Sequence, residues 1–540
     1  MSSLKEYRAA EEPLPREYQA WQIFGSGFEN VGKDGKPVTL PLREPADNEV
    51  MLRVDALGLC QSDIKIISQG SKHARLRGRD LATEPTVLGH ECAATVVKVG
   101  KNWENKFKPG ERFIVQADIY YKGIGYAFGY LIPGGLGQYC YLDERALDGD
   151  EGCYLLPVRP DTGYSQAALS EPWACVEMSY NLIERLEPGD GAVLIVTDIE
   201  ADQWRAEFPK AHVVSRSLQN LPAGEFDDII IPMPSQEIVN ALASRLRKKG
   251  IMFLLGIPST DDAVSLDIGR IHYEDVRYYG GGTDLGSVKQ SNARHDLQPG
   301  GSALFMGAGG PMGQMHVQRA IEIANGPELV VVTDLDRGRL DHIQRRFGDI
   351  AKHRGVKLVT LAASEFDSAE AMNARIAGLA KGGYDDVVVM APVAKLVPQA
   401  MGFAADNAVV NVFAGVGIGS MADIALRDLC RGIKIIGSSG SRISDLRKVL
   451  EMVERSELNT NLSIAAIGGL GAAREGLEGV NTARYPGKTV IYPQIPNLPL
   501  MPVEEVEERI PELKGKLGPH AAWTKEAEQA LLEKYVNGAS

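Results

Sequence analysis

Ala303-Leu304-Phe305-Met306-Gly307-Ala308-Gly309-Gly310-Pro311-Met312-Gly313 is an apolar strand that runs into a glycine-rich turn and the start of a helix. Glycines let a backbone turn tightly and approach an anion closely, and the N–H groups of a helix start stabilise a pyrophosphate. Counted from Gly307, the strict glycine spacing fails by one residue, because Met312 stands where the third glycine would. Counted from Ala308, it is restored as Ala308-x-Gly310-x-x-Gly313. A second apolar strand, Leu329-Val330-Val331-Val332-Thr333-Asp334, follows, with Asp334 21 residues after Gly313. A carboxylate at that strand end hydrogen-bonds ribose hydroxyls and repels a 2′-phosphate, which favours NAD over NADP. Arg337 and Arg339 lie close by and pull the other way. Gly307 to Gly313 and Asp334 are the candidate cofactor residues.

Outward from this turn, between about 187 and 441, apolar strands alternate with helical segments, the signature of a parallel doubly wound sheet. The stretch is about 250 residues, too long for one such domain, and an internal repeat explains the excess. Phe226-Asp227-Asp228-Ile229-Ile230-Ile231 returns 158 residues later as Tyr384-Asp385-Asp386-Val387-Val388-Val389. At the same offset Pro234 meets Pro392, and Ile238-Val239 meets Leu396-Val397. Two tandem Rossmann-like units are expected, a degenerate one over 187–297 and a dinucleotide-binding one over 298–441. In the first, Ala192-Val193-Leu194-Ile195-Val196 leads into Thr197-Asp198-Ile199-Glu200, two acids and no glycine, which would repel a pyrophosphate. That strand either keeps the place before a lost glycine turn or aligns with Leu329–Asp334, the first strand-turn-helix being missing.

Further upstream, Gly58-Leu59-Cys60-Gln61-Ser62-Asp63, Leu88-Gly89-His90-Glu91-Cys92 and Ser170-Glu171-Pro172-Trp173-Ala174 supply a thiolate, an imidazole and two carboxylates. Taken alone, Cys60 reads more readily as a small buried apolar residue, and His90 as an ordinary core histidine. Together they have the ligand chemistry of a catalytic zinc site, in which three protein ligands leave a position open. Residues 20–145 carry short alternating runs punctuated by turn residues, the pattern of a small antiparallel barrel, and 163–186 read as a helix leading out of it.

These segments, with Pro109-Gly110-Glu111-Arg112 and the closing strand Pro486-Gly487-Lys488-Thr489-Val490-Ile491, resemble the zinc-dependent medium-chain dehydrogenases, the alcohol and polyol dehydrogenase superfamily. They frame roughly 450 of the 540 residues, and their order along the chain is the strong part of the match. The Glu-Pro at Glu171 and the Gly-Gly-Pro-Met-Gly turn look most like the sorbitol dehydrogenase and sorbose-1-phosphate reductase branches. The resemblance implies an α/β chain: a GroES-like catalytic zinc domain over 1–186 completed by 442–495, the two Rossmann-like doubly wound units, and a helical tail over 496–540. Within the tail, Glu504–Leu517 and Thr524–Val536 are the expected helices.

It also implies roles. Cys60 and His90 are expected zinc ligands. Glu91 ligates directly, as in the polyol branch, or stands behind the metal, as in the alcohol branch. Glu171 ligates directly or through water. Asp63 would orient His90, since a ligating histidine usually donates its other N–H to a carboxylate. Ser62 would accept the substrate hydroxyl proton, and Lys65 stands where alcohol dehydrogenases often carry a relay histidine. Between Gln116 and Gln138, where the alcohol branch has four cysteines, this chain has none, so one catalytic zinc per chain is expected. The implied reaction is hydride transfer between NAD and a secondary alcohol of a polyol, sugar or sugar phosphate, the basic loop Lys72–Arg79 offering a cation for a phosphate. The rivals are an epimerase or eliminase that keeps its NAD through a transient oxidation, and a non-catalytic NAD-sensing protein.

Composition sets outer bounds. The length predicts two to four domains. A net charge of -13 and a pI near 5.4 argue against nucleic acid or an anionic membrane as partner. No apolar run reaches transmembrane length, and the N-terminal MSSLKEYRAAEEPLPREYQ has no apolar signal core. The six cysteines show no paired short spacing and read as reduced thiols. A cytoplasmic homo-oligomer, dimer or tetramer, acting on a small molecule is the expectation.

Overall fold

In the computed structural model, residues 4–258, 260 and 262–537 are described. Strand β1 (Val50–Gly58) is buried along its whole length. Arg53 and Asp55 interrupt its apolar run, and their charges are met internally, as buried charges must be. Arg53 Nε donates to Asp55 Oδ1 at 2.8 Å, and the hydroxyls of Tyr7 and Thr95 donate to the same carboxylate. Helix α1 (Gln61–Gln69) follows directly, so Cys60 sits at the strand-to-helix corner. Strand β2 (Glu91–Val99) pairs antiparallel with β1; β3 (Arg112–Val115) pairs with β2, β4 (Tyr139–Leu142) with β1, and β5 (Leu155–Val158) with β3. Where one helix over 163–186 is expected, the chain makes α2 (Tyr164–Ala168) and α3 (Ser170–Tyr180) and then leaves the helix. The Glu184 carboxylate is instead taken by buried Lys434 and Arg277.

The chain divides into two compact units, one running to Glu177 and resuming at Gly440, the other Met178–Ser439. The second holds two parallel sheets. One contains β6 (Val193–Val196), β7 (His212–Val214), β8 (Phe226–Pro232), β9 (Leu246–Leu255) and β11 (Arg277–Tyr279), in the order β7-β6-β8-β9-β11. Between β9 and β11 the chain forms β10 (Ala263–Asp267) and helix α4 (Ile268–Tyr273). The other sheet contains β12 (Ser302–Met306), β13 (Leu329–Asp334), β14 (Lys357–Ala362), β15 (Tyr384–Val389), β16 (Ala404–Val412) and β18 (Lys434–Ile436), in the order β14-β13-β12-β15-β16-β18. Helix α5 (Pro311–Glu322) follows β12, and β17 (Met421–Ala425) lies between β16 and β18.

The repeat pairs β8 with β15. Strand β6 lies beside β8 as β12 lies beside β15, so β6 keeps the place before the glycine turn. The alternative alignment with Leu329–Asp334 is thereby removed. What the first sheet lacks is a counterpart of the edge strand β14. One apolar core, from Leu194 and Ile229 to Val387 and Ile435, runs through both sheets.

The chain returns to the first compact unit with β19 (Ile464–Gly469), β20 (Lys488–Tyr492) and β21 (Met501–Pro502), which extend the β1 sheet, β20 pairing with β1. The tail stays in this unit. Over Glu504–Leu517 the expected helix is only short turns, the four-residue Val506–Arg509 among them, because Pro511 cannot continue a helix. The second expected helix is α6 (Lys525–Asn537). Its Glu528 carboxylate accepts from the backbone N–H of Tyr164 (2.6 Å) and Ser165 (2.7 Å), capping α2. No helix among the described residues is long and apolar enough to cross a membrane.

Candidate active site

Three chain segments meet at the end of β1. Cys60 Sγ, a ring nitrogen of His90 and a carboxylate oxygen of Glu91 lie within 4.8 Å of one another. Ser62 stands between the first two: its hydroxyl donates to Cys60 Sγ at 3.0 Å and lies 3.2 Å from His90 Nε2. Asp63 braces the corner and faces the imidazole. Its carboxylate accepts from the backbone N–H of Cys60 and of Gly89, each at 3.1 Å. His90 Nδ1 faces Asp63 Oδ1 at 3.6 Å, within ion-pair range but long for a hydrogen bond.

Glu91 opens β2 and is fully buried. One of its oxygens is ion-paired to Lys488 at the start of β20, and Lys488 also donates to the carbonyl of Leu59. The other, Oε2, has no partner. It is aimed at Gly58, where a Cβ would come within 2.0 Å of it, so a side chain at that position would push the Glu91 carboxylate aside. Burial opposes the charge on Lys488, but Glu91 and Cys60 outweigh it and hold the ammonium above its ordinary range. Lys488 opens the closing strand β20, whose next residues, Thr489-Val490-Ile491, are apolar or small. That lone lysine is the signal the sequence offers for it.

Glu171, in the first turn of α3, is buried outside the trio of ligand atoms. Burial pushes its carboxyl up to about 7; Glu91 and Asp118 add to this, and His90 and Lys488 oppose it. Lys65 is exposed on α1. From the basic loop, Arg75 reaches this region: it pairs with Asp118 at 2.7 Å and lies over the Tyr130 ring, whose centroid is 6.2 Å from that of His90. Arg79 is spent on the backbone carbonyls of Tyr130 and Leu131. Tyr130 and Asp118 carry no motif and were not legible in the sequence.

In the second compact unit the glycine turn obeys the register counted from Ala308. Gly307 has φ +69°, and Gly310 caps α5 with Pro311 in its first turn. A Cβ at Gly313 would lie 2.4 Å from the Ala308 carbonyl oxygen, so the helix can pack on the strand only there. A Cβ at Gly310 would meet nothing within 4 Å. That is open space beside the helix start, as the approach of a pyrophosphate requires. Asp334 ends β13, and its Oδ2 accepts from Gly309 N–H at 2.8 Å, so it also braces the turn. Arg337 is held by Asp341 and Glu365.

Residues 46–148 match the alcohol dehydrogenase GroES-like domain. The chain is 25% identical over 503 residues to the L-sorbose 1-phosphate reductase of Klebsiella pneumoniae, covering 92% of this chain and 93% of that protein. It is 24% identical over 525 residues to the mannitol-1-phosphate 5-dehydrogenase of Aliivibrio fischeri, covering 93% and 96%. Among solved structures it superimposes on the 2R,3R-butanediol dehydrogenase of Bacillus subtilis with a TM-score of 0.53 at 17% identity, over 88% of this chain and 99% of that one.

Residues 46–148 carry the alcohol dehydrogenase GroES-like domain, and along most of its length the chain is similar to sugar-phosphate dehydrogenases and reductases. Its GroES-like domain supplies Cys60, His90 and Glu91, and its second Rossmann sheet supplies the glycine turn.

Proposed function

We propose that this chain is a medium-chain dehydrogenase that transfers a hydride between NAD and a secondary alcohol of a polyol, sugar or sugar phosphate, with one zinc ion per chain. The reading is carried by the trio Cys60, His90 and Glu91 with the Ser62 hydroxyl set between the first two. A thiolate, a neutral imidazole and a carboxylate make a catalytic zinc donor set, and the partnerless Glu91 Oε2 gives one donor a vacant valence. Glu171 would stand beside the ion, directly or through water. When bound, zinc supplies Lewis-acid polarisation and the nicotinamide supplies the hydride acceptor.

The chain's own part is positioning and proton transfer. Ser62 takes the substrate hydroxyl proton and passes it outward. Lys488 pairs with Glu91 and holds its carboxylate in place. Arg75, beside Tyr130, favours an anionic group on the substrate, in keeping with the sugar phosphates named for two relatives. Asp334 at the end of β13, with Arg337 already engaged, favours NAD over NADP. The test is a panel of polyols, sugars and sugar phosphates with NAD, read by absorbance of free NADH and paired with metal analysis. Wild type should hold one zinc and release NADH with at least one sugar phosphate or polyol, and Cys60→Ser should lose both metal and turnover. Interconversion of substrate without release of NADH would instead favour the epimerase or eliminase chemistry.

A further inference from the structure

The two Rossmann sheets meet in a pattern with a definite symmetry. Strand β10 pairs antiparallel with β17, and the two are the same segment of the repeat: adding 158 to Ala263–Asp267 gives Met421–Ala425. The register runs Ala263↔Ala425, Ser265↔Asp423, Asp267↔Met421, so Ser265 faces its own equivalent and the flanking pairs exchange under the repeat. Neighbouring contacts obey the same rule. Ile268 N–H donates to the Ser420 carbonyl at 3.1 Å, and its counterpart Leu426 N–H donates to the Asp262 carbonyl at 2.9 Å. Beyond α4 the offset shortens by one residue, so Gly280 matches Gly437, 157 residues on; a Cβ at Gly280 would lie 2.9 Å from Cys430 Cα, and a Cβ at Gly437 would lie 2.9 Å from His272 Cα. Contacts in which i meets j and j's equivalent meets i's equivalent are isologous, the mark of a two-fold dimer.

Some contacts have no reciprocal under the repeat: His272 Nδ1 donates to the Val412 carbonyl, Arg277 Nη2 donates to the Gly437 carbonyl, and a third bond reaches the loop beyond β16. Asp267 caps α4 through Oδ1 and with Oδ2 accepts from Gly419 N–H at 2.9 Å. Its counterpart is Ala425, which offers no carboxylate. The bond therefore has no reciprocal: Gly419, in the loop 413–420 that leaves the C-terminal end of β16, donates to the degenerate unit. In a doubly wound sheet the second half of a dinucleotide lies across the C-terminal ends of that half's strands.

We infer that the degenerate Rossmann unit is a built-in partner subunit: it makes within one chain the isologous contact of a two-fold dimer and uses Asp267 to position the loop 413–420 of the glycine-turn sheet. The edge that a second copy would occupy is filled, so no homodimer forms there. The role of that loop toward the cofactor rests on the function proposed above; the internal pairing does not.

Two arms separate these parts. Ser265 and Asp423 are partly or fully exposed, so their replacement leaves the core intact. Directly opposed residues of antiparallel strands have Cα atoms about 4.5–5.5 Å apart, within disulfide range. Under mild oxidation, judged against wild type on non-reducing denaturing gels, the Ser265→Cys/Asp423→Cys chain should close an intrachain disulfide. Ser265→Cys alone should stay a single chain. A covalent dimer of the single variant would place a second copy at this edge and overturn the inference, as would failure of the double variant to link. In the second arm, Asp267→Asn keeps an acceptor for the α4 cap but loses the one facing Gly419. NAD affinity by calorimetry should fall about tenfold, with the melting temperature little changed, while Ser265→Ala leaves affinity unmoved. Unchanged affinity in Asp267→Asn would overturn the positioning role. Absence of NAD binding in wild type would refute the proposed function and leave the cross-linking result to judge the pairing.

Discussion

Lys488 and Glu91 are an ion pair with both partners buried, and removing one side of such a pair commonly costs about 3–5 kcal/mol because a bare charge is left inside. Lys488→Met should therefore destabilise the metal-free chain by about that much. Zinc held by Glu91 would replace the lost cation, so the deficit in denaturant unfolding should shrink when zinc is added. A deficit equal with and without zinc would remove Glu91 from the metal site. His316 on α5 gives a second residue-level expectation. Its Nδ1 is 2.7 Å from the Tyr180 hydroxyl and its ring packs on Phe413, and burial, helped by Arg319, lowers its pKa to about 3. The folded chain thus keeps it neutral while the unfolded chain protonates it near about 6.5. Its stabilising contribution is present above that pH and is lost as pH falls toward 3, by up to about 1.4 kcal/mol per pH unit. Urea unfolding from pH 6 to pH 4 should show a shallower decline in His316→Gln, by roughly one proton.

At the scale of elements, the two strand-to-helix turns differ in what they present. Gly310 opens α5 with free space beside it, whereas β6 is followed by Asp198, which accepts from Arg216 N–H, and by Glu200 in the left-handed region. Gly310→Leu should abolish dinucleotide binding in calorimetry, while Asp198→Ala should leave it nearly unchanged; loss in the Asp198 variant alone would move the cofactor to the first sheet. The glycine turn was legible because each glycine has a local reason, Gly313 for packing and Gly310 for access. The helix breaks after Tyr180 and at Pro511 differ in this respect. Pro511 was visible, but the pull of Lys434 and Arg277 on Glu184 comes from residues far along the chain and has no local signature.

For the whole molecule, one glycine turn and one acid-blocked turn predict a single dinucleotide per chain by calorimetric titration, and two would contradict the asymmetry between the sheets. The sequence by itself singled out Cys60, His90 and Glu91 among four candidate ligands, the glycine turn with Asp334, the α/β fold class and the repeated segment. Each of these rests on residue types at fixed spacing within a segment, on two such segments carrying complementary ligand chemistry, or on one segment repeated. Only the tertiary structure decided that β6 keeps the place before the lost glycine turn, because strand order is set by pairing and not by sequence order. The same holds for Lys488 as the counter-charge of Glu91, 397 residues away along the chain, and for Glu528 as the cap of α2. It holds also for the self-complementary join of β10 to β17. These depend on which distant backbone groups and charges are left needing a partner once the cores close, and burial makes an unmet charge or N–H too costly to leave.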